Sequence, residues 1–471
     1  MPNSTVKLAG VRDRLAMFFN GKLYPVIVAL LVLAGHLWAL EFYLNIINML
    51  LIATALLVCR SLKPVIPVFL TFLFQISPEN SPSGKGDAVS RYFGNGRAYV
   101  TVTLFVIVAA CFVYCFVKNK LITRRALKRA PLVYSSIALS SAFLLGGAFS
   151  GVWNTGSLGF GAVNVVLFIL VFYVFYFGLS NENAYDIVDY LVYVAAITVS
   201  IVFIETMAIY FTADGLIVDG HIVRDVFNYG WGTCNNSAQA LTVLIPITFI
   251  GVIRSKHPAF YFLVATVAWV ASLLNISRTA FMVGTPIYII ALIVTYIYCK
   301  NKKQLNVAIP VIAAVIAAVL ALNWDVIYPV IDNYITRGFD NNGRFYLWEY
   351  GIDAFLEAPI FGKGFFGMEP YLFQLVSFIP KMMHNTPIQI LASMGVFGLL
   401  AYGYHRIETA IPVFRRPTIV KTMLGAALAS VLLGSLLENF IFYIHPMFYF
   451  TVTLAILFRV DDEVMGKSNA E

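Results

Sequence analysis

Long apolar runs dominate this chain and limit the folds that it can form. Fourteen such runs follow one another with few charges inside them, and about 20 apolar residues suffice for a helix that crosses a bilayer. The sequence therefore predicts an all-α, polytopic membrane helix bundle with about 12–14 transmembrane helices. The runs lie at residues 23–40, 42–59, 62–76, 98–117, 131–149, 161–180, 188–211, 234–253, 259–275, 279–298, 305–324, 386–404, 419–437 and 440–458.

Composition excludes the main alternatives to a membrane protein. Of the 471 residues, 60% are hydrophobic and only 12% are charged, which is about half the charged fraction of an ordinary soluble domain. These figures exclude a soluble globular enzyme, a disordered chain and a disulfide-stabilised secreted module. The net charge of +8 does not indicate nucleic-acid binding, because the basic residues of membrane proteins sort by membrane side.

The distribution of basic residues predicts the orientation of the bundle. When the N-terminus is placed inside, 23 of the 32 Lys and Arg residues fall in inner segments and nine in outer ones. Membrane proteins concentrate Lys and Arg in their cytoplasmic loops. The sequence therefore predicts a multi-pass protein with both termini in the cytoplasm.

One long segment between the apolar runs, residues 325–385, is predicted to lie on the outer face. We therefore expect three parts: a transmembrane bundle at 1–324, this outer loop, and C-terminal transmembrane helices with a short cytoplasmic tail at 386–471. The loop is too apolar to be disordered. It is expected to form helices of its own.

Two apolar pieces of the outer loop, Arg344–Glu357 and Tyr371–Ile379, could each lie along the outer bilayer surface or pack on the bundle. The first is predicted to be an amphipathic helix, because its apolar side chains follow helical spacing. Those side chains are Trp348, Ile352, Phe355 and Leu356. Three glycines predict a flexible link between the two pieces: Gly362, Gly364 and Gly367.

Histidines on the outer side are candidates for proton transfer. Three of the six fall on or near the outer face in this topology: His221, His384 and His445. His384 directly precedes a predicted spanning helix, where Asn385 and Thr386 can cap the helix and Pro387 suits its first turn. A histidine held at the water–membrane boundary could act as a general base or serve only as a capping or interfacial side chain.

Two outer arginines are harder to explain as ordinary surface charges. Arg278 occupies a tight corner between two apolar runs, and an arginine near membrane depth usually has an anionic partner or a polar cavity. Arg344 begins the amphipathic helix, where a positive charge opposes the helix dipole. Snorkelling of Arg278 and solvation of Arg344 are the alternatives. With the histidine, the arginines predict a rim that binds phosphate oxygens.

Metal-assisted and ATP-dependent chemistry finds little support in the sequence. Cys111 and Cys115 are one helical turn apart without a nearby His or acid, so all five cysteines are expected to be buried apolar side chains. Closely spaced acid pairs are missing from the outer side, and the sequence has no P-loop motif. The acidic run Asp461-Asp462-Glu463, in the inner tail, is predicted to be solvated.

In this region the chain resembles the O-antigen ligases and the related O-antigen polymerases. The resemblance covers about residues 275–405, and the remainder is similar only in hydropathy. It rests on short motifs whose order, spacing and shared outer location agree. These are Ser277-Arg278-Thr279-Ala280, Gly343-Arg344-Phe345-Tyr346-Leu347-Trp348, Gly362-Lys363-Gly364, His384-Asn385, and Leu391 with Gly395-Val396-Phe397-Gly398-Leu399.

The resemblance implies a membrane glycosyltransferase in the inner membrane of a bacterium, acting at its outer face in surface polysaccharide or lipopolysaccharide biosynthesis. The implied donor is a glycan on undecaprenyl pyrophosphate, and the acceptor is a hydroxyl of a glycan or a lipid-anchored sugar. The transfer would be inverting and metal-independent, without a cofactor or a nucleic-acid partner. Carried over by motif, His384 would be the general base, and Arg278 and Arg344 would hold the pyrophosphate. Residues 325–385 would then be the catalytic loop.

Two other classes of function remain open at this stage. A flippase for lipid-linked oligosaccharide or polysaccharide should carry polar residues within its helices and often repeat symmetry; Glu205 is the main such residue, and no repeat is visible. A structural subunit of an envelope complex would not need the outer arginines and histidine. Further residues could shape an acceptor site, without an assigned role: Glu438, His445, Lys363, Arg337 and Arg224.

Overall fold

The structure, a computed structural model, is almost entirely helical. It describes residues 2–70, 92–94, 96–213, 216–218, 221–227, 234–337, 343–368 and 382–466. The predicted surface piece Tyr371–Ile379 lies outside the described residues, as do the side chains of His221, Arg224 and Arg337.

Seventeen helices follow one another along the described part of the chain, and one short hairpin, β1 (Ile217–Val218) and β2 (His221–Ile222), lies between the eighth and the ninth. Single turns of 3-10 helix occur at Lys63–Val65, Arg224–Phe227 and Phe440–Phe442. The helices are α1 Pro2–Asn20, α2 Leu23–Leu37, α3 Glu41–Val58, α4 Arg97–Lys118, α5 Arg124–Arg129, α6 Val133–Leu145, α7 Thr155–Gly178, α8 Ala184–Thr212, α9 Cys234–Arg254, α10 Pro258–Leu274, α11 Ala280–Tyr298, α12 Lys302–Leu322, α13 Trp324–Arg337, α14 Arg344–Glu357, α15 Thr386–Phe414, α16 Ile419–Gly434 and α17 Ile444–Val464.

The prediction of an all-α polytopic membrane bundle is confirmed. Within the described residues, nine helices are long and apolar enough to cross a membrane, or ten if the bent pair Gly10–Asn20 and Leu23–Gly35 forms one span. Three shorter apolar helices, α6, α10 and α16, complete the bundle. Of the predicted runs, only 62–76 lacks a long helix in its described part, where the chain forms a 3-10 turn at Lys63–Val65. All five cysteines are buried, as predicted.

The centre of the bundle consists of α9 and α17, which are almost completely buried. Their side chains join one large apolar core with those of α8, α10 and α16. The helix α12, by contrast, keeps most of its surface exposed. Residues at the ends of the central helices are therefore held by the most deeply buried helices of the bundle, which suits a functional site.

The helix α15 is broken at Gly395, whose φ of 64° and ψ of −162° are not helical. The first leg, residues 386–394, starts beside the end of α16, because Thr386 N donates to Ser435 O (2.8 Å). It ends beside α6, where Gly146 meets the carbonyl of Ser393. The second leg, residues 396–414, is about 28 Å long and so matches the ~30 Å of a bilayer core.

The loop that follows α14 is fixed against this break. Lys363 N and Gly364 N donate to the carbonyls of Ala392 and Ser393 at 2.8 and 2.9 Å. The backbone N–H groups of the two residues that follow Gly395 donate two further hydrogen bonds to the loop. Gly362 has a φ of 65°, and a Cβ there would lie 2.3 Å from the Ser393 carbonyl carbon. The predicted flexible link is therefore wrong between residues 358 and 368: its glycines permit close packing.

The prediction that the acidic run of the tail is solvated is also wrong. Asp461 is buried at the end of α17, where it pairs with Lys421 (2.9 Å) and with Arg415. Asp462 accepts from Tyr176 Oη (2.7 Å), and Glu463 accepts from the backbone at the start of α8 (2.8 Å). These acids pair across the bundle end that lies opposite the site described below.

Candidate functional site

A small polar cavity lies at the face where α9, α11, α14, α15 and the α16–α17 loop come together, which we call the site face. Its volume is about 200 Å³. Pockets for whole small molecules usually measure roughly 300–1,000 Å³, so this cavity fits only the reacting end of a large substrate. The cavity is lined by Asn235, Arg278, Thr279, Arg344, Leu347, His384 and Glu438.

The backbone around His384 is held on both sides. Asn385 caps α15 through its side chain, which accepts from Ile388 N (3.1 Å), as the sequence predicts. On the other side, Met383 N donates to the buried side chain of Gln389 (2.8 Å). His384 itself has a φ of 51°, an uncommon conformation for a residue with a side chain that persists where neighbours impose it. The fold therefore aims this ring at a fixed point.

The imidazole of His384 is oriented by a carboxylate. Nδ1 lies 2.5 Å from Oε2 of Glu438, and an ionised carboxylate can only accept, so Nδ1 carries the proton. In the neutral ring, Nε2 then holds the lone pair. The side chain is 35% exposed, which leaves the ring accessible from the cavity. This is the arrangement of a histidine base whose tautomer is set by an acid.

Glu438 is the centre of the site. Its side chain is only 4% exposed, and a buried charge of this kind is costly unless it is paired and hydrogen-bonded. Besides His384, it is contacted by Arg344 (2.5 Å to Oε1) and by the side-chain amide of Asn235, which donates to Oε1 (3.2 Å). Both carboxylate oxygens are therefore occupied.

Arg344 stands in the first turn of α14, after Gly343 with a φ of 74°. The structure explains the unfavourable position of a cation at a helix start: the ion pair with Glu438 offsets it. That contact is made through one terminal nitrogen, and a guanidinium has five N–H groups in all. Arg344 also lines the cavity, so the same side chain can support Glu438 and contact a ligand.

Arg278 reaches the cavity from the corner between α10 and α11. The corner is fixed by the buried side chain of Asn275, which accepts from Ser237 Oγ (3.0 Å), and by Ile276, which has a φ of 53°. Tyr334 adds a hydrogen bond to the carbonyl of Leu273 (2.8 Å). Arg278 is thus half-buried on a rigid corner, with its charge directed to the cavity that also holds the other predicted residues.

The three residues predicted from sequence, Arg278, Arg344 and His384, thus line one cavity. Among the described residues that line the cavity, two guanidinium groups and one carboxylate, with a neutral histidine, carry one more positive than negative charge. Such a cavity can bind an anion and accept a proton beside it. Among the described residues, no three His, Cys, Asp or Glu side chains are grouped so that they could hold a metal ion.

Sequence reasoning assigned no role to Glu438 and did not single out Asn235. The available signal for Glu438 was its position, an acid in the short turn between two apolar runs. Of the other residues left without a role, Lys363 pairs with Glu357 (2.5 Å). His445 is buried in the first turn of α17 and does not line the cavity.

Comparison with known proteins gives one family. A family model for O-antigen ligase matches residues 260–403. The match contains all three predicted site residues and ends before Glu438. The predicted resemblance, which covers about residues 275–405, is thereby confirmed. No curated protein matches the chain.

Proposed function

We propose that this chain, whose residues 260–403 match a family model for O-antigen ligase, transfers a glycan from undecaprenyl pyrophosphate to the hydroxyl of an acceptor sugar. The family match supports a glycosyl-transferring enzyme of the O-antigen ligase/polymerase type in lipopolysaccharide biosynthesis. Together with the apolar helices, it supports a multi-pass protein of the bacterial inner membrane. The finer features belong to our proposal: an inverting, metal-independent reaction at the outer face.

The observation that carries the proposal is the contact of His384 with Glu438 beside two arginines. In the proposed reaction, Nε2 of His384 removes the proton of the acceptor hydroxyl while its oxygen attacks the anomeric carbon. The new bond forms as the bond to the pyrophosphate oxygen breaks, and the leaving pyrophosphate takes the electron pair. A single displacement inverts the anomeric centre. Glu438 stabilises the imidazolium that results.

Arg278 and Arg344 are proposed to hold the pyrophosphate. Negative charge grows on the leaving oxygen in the transition state, and fixed cations that face it lower the barrier. Guanidinium groups suit phosphate oxygens because they donate paired hydrogen bonds. Two of them line the cavity, which supports a reaction that needs no metal ion.

The proposed site draws on all three parts of the chain that the sequence predicts. Arg278 comes from the segment 1–324, Arg344 and His384 come from 325–385, and Glu438 comes from 386–471. The loop 325–385 is therefore proposed to be catalytic only together with the bundle. The distribution of charge supports an outer location of the site. Arg415, Lys421 and neighbouring cations lie at the ends of α15 and α16 that are far from the site, and such cations are typical of the cytoplasmic side. Both termini would then lie in the cytoplasm.

The test is glycan transfer by the purified full chain in lipid nanodiscs, with a synthetic undecaprenyl-pyrophosphate donor. We expect His384→Ala to lose about 10²–10⁴ in rate, the usual contribution of a general base. The matched control is His257→Ala, because His257 is exposed just before α10 at the opposite face. Full activity of His384→Ala would remove His384 from the mechanism. Loss of wild-type activity in EDTA would contradict metal independence.

Two further measurements identify the acceptor and test the alternative function, that of a flippase. A lipid-anchored core sugar and a second lipid-linked repeat are offered separately, and the one that is elongated tells a ligase from a polymerase. Donor translocation across vesicles is measured in parallel. Translocation without any sugar transfer would favour the flippase.

A further inference from the structure

The helix α14 has three faces, and within the described residues only one of them packs closely on the bundle. Successive residues turn by about 100° around a helix axis, so Leu347, Tyr350, Gly351 and Ala354 share one side. This side packs against Met383, Ile388 and Ala392. It is not the side marked by the apolar residues that the sequence singled out.

A second face of α14 is apolar and largely exposed, and of its residues only Trp348 is half-buried. Phe345, Trp348, Ile352 and Leu356 lie within a sector of about 80°, and Ile360 continues their line beyond the helix end. We call these five residues the apolar stripe. Phe345, Leu356 and Ile360 are 61%, 65% and 65% exposed, although each is large and apolar.

The third face carries the acidic residues and one exposed tyrosine, Tyr346. Glu349, Asp353 and Glu357 lie on the side next to the stripe, and all three are exposed. A helix with one apolar and one charged free face is typical of helices that lie along a bilayer surface, with the apolar face among the lipid chains. Aromatic side chains such as Phe345 and Trp348 suit the headgroup boundary.

The stripe is continuous with a surface of the bundle that must face lipid. Phe397 N donates to the carbonyl of Ile360 (3.1 Å), which joins the end of the stripe to the start of the second leg of α15. From this point the second leg shows exposed apolar side chains along its length, including Leu400, Ile407 and Phe414. A spanning helix with such a side contacts the hydrocarbon.

We propose that α14 lies on the bilayer at the site face and that its apolar stripe is seated among the lipids. This inference rests on the spanning bundle and does not require the proposed reaction. Its consequence is that Arg344, in the first turn of α14, is held at headgroup level. The cavity would therefore accept phosphate groups presented by a membrane lipid.

The test compares neighbouring residues on the two free faces. Single cysteines replace Ile352 and, as the matched control, Asp353, and each is labelled with an environment-sensitive fluorophore in the full chain. All five native cysteines are buried, and the unsubstituted protein gives the labelling background. The labelled proteins are placed in nanodiscs with one chain each, whose lipids carry a quencher near the headgroup.

We expect the label at Ile352→Cys to lose most of its emission to the lipid quencher and the label at Asp353→Cys to lose little. Iodide in the buffer should quench the label at Asp353→Cys strongly and the label at Ile352→Cys little. Equal quenching at both positions would overturn the proposal. The proposal would also be overturned if neither the lipid quencher nor iodide reached the label at position 352. Lipid quenching that is lost when two chains share a disc would overturn it too. Both results would show that another part of the protein covers the stripe.

A second pair of variants guards against local distortion. Leu356→Cys belongs to the stripe and Glu349→Cys to the charged face, and both side chains are exposed. Their labels should reproduce the contrast between 352 and 353. A pair that responds alike would contradict the assignment of the faces.

Discussion

Two buried carboxylates, at opposite faces of the bundle, have similar partners and different surroundings. Glu438 is 4% exposed and pairs with Arg344 and His384. Asp461 is 1% exposed and pairs with Arg415 and Lys421. Both satisfy the requirement that a buried charge be compensated. The ion pair alone therefore does not mark a functional site.

The two carboxylates differ in their second partner, Lys421 for Asp461 and His384 for Glu438, and in whether a cavity lies beside that partner. Lys421 is completely buried and bound to Asp461 and to backbone carbonyls, so this cluster joins α16 to α17. His384 remains partly exposed beside a cavity that also holds Arg278. A titratable group with access to a ligand distinguishes the site face from the opposite face. We therefore expect changes at Glu438 to affect activity and changes at Asp461 to affect stability.

The largest effect is expected from Glu438→Gln. An amide at this position no longer stabilises the imidazolium and can favour the wrong tautomer of His384, a change that costs up to about 10⁴ in rate in histidine–carboxylate sites. The measurement is kcat for glycan transfer in nanodiscs, with thermal unfolding as the control for folding. A variant that keeps wild-type kcat would make the Glu438 cluster purely structural.

Asp461→Asn should lower the stability of the protein and leave its activity unchanged. Removing one partner of a buried ion pair leaves uncompensated cations and costs about 3–5 kcal/mol, which denaturant titration of the purified protein would measure. The specific activity of the folded fraction should stay unchanged. Asp189→Asn is the matched control, because Asp189 forms a solvent-exposed pair with Arg254 at 2.6 Å and should contribute at most about 1 kcal/mol. Equal losses in both variants would contradict the role of burial.

Arg344→Lys tests whether the site face needs the shape of a guanidinium. Lysine keeps the charge but cannot contact Glu438 and a phosphate with one planar group. The loss of a charge-assisted hydrogen bond is worth about 1.5–3 kcal/mol, roughly a 10- to 150-fold fall in kcat/KM. Arg415→Lys, the equivalent change at the opposite face, should leave kcat/KM unaltered. If both variants transfer glycan at the wild-type rate, Arg344 acts only as a charge.

The smallest predicted effect concerns the break in α15. Gly395→Ala should destabilise the site face by about 1–3 kcal/mol, because φ is 64° and a Cβ would lie 2.4 Å from the Ile360 carbonyl. Gly403→Ala on the same helix meets no neighbour within 4 Å and should leave stability unchanged or slightly raised. Thermal unfolding of both variants checks this. Equal melting temperatures would show that the loop contact tolerates a side chain.

The sequence predicts well the features that depend on neighbouring residues. Hydropathy locates the spans, helical spacing predicts the bounds of α14, and the Asn385 side chain was expected to cap α15. Arg278, Arg344 and His384 stand out because charges beside apolar runs are unusual. Each of these predictions depends only on residues that are close together in the chain, so a single sequence is enough to make it.

The rest depends on contacts between distant parts of the chain. Glu438 reaches His384 from the loop between α16 and α17, and Asp461 at the end of α17 reaches Lys421 on α16. The sequence predicts a solvated Asp461 and gives Glu438 no assigned role, because hydropathy does not record the partner of a charged residue. The glycines of the 358–368 loop were misread for the same reason, since tight packing and flexibility both use glycine.

The central claim is that Glu438 acts through His384, and a double-mutant cycle tests it most directly. Transfer rates are measured for wild-type protein, His384→Ala, Glu438→Gln and the double variant in the same nanodiscs. Residues that act as one unit are strongly non-additive, so the account predicts that Glu438→Gln changes the rate little once His384 is absent. Losses that multiply in the double variant would contradict the account, as would an unimpaired His384→Ala enzyme.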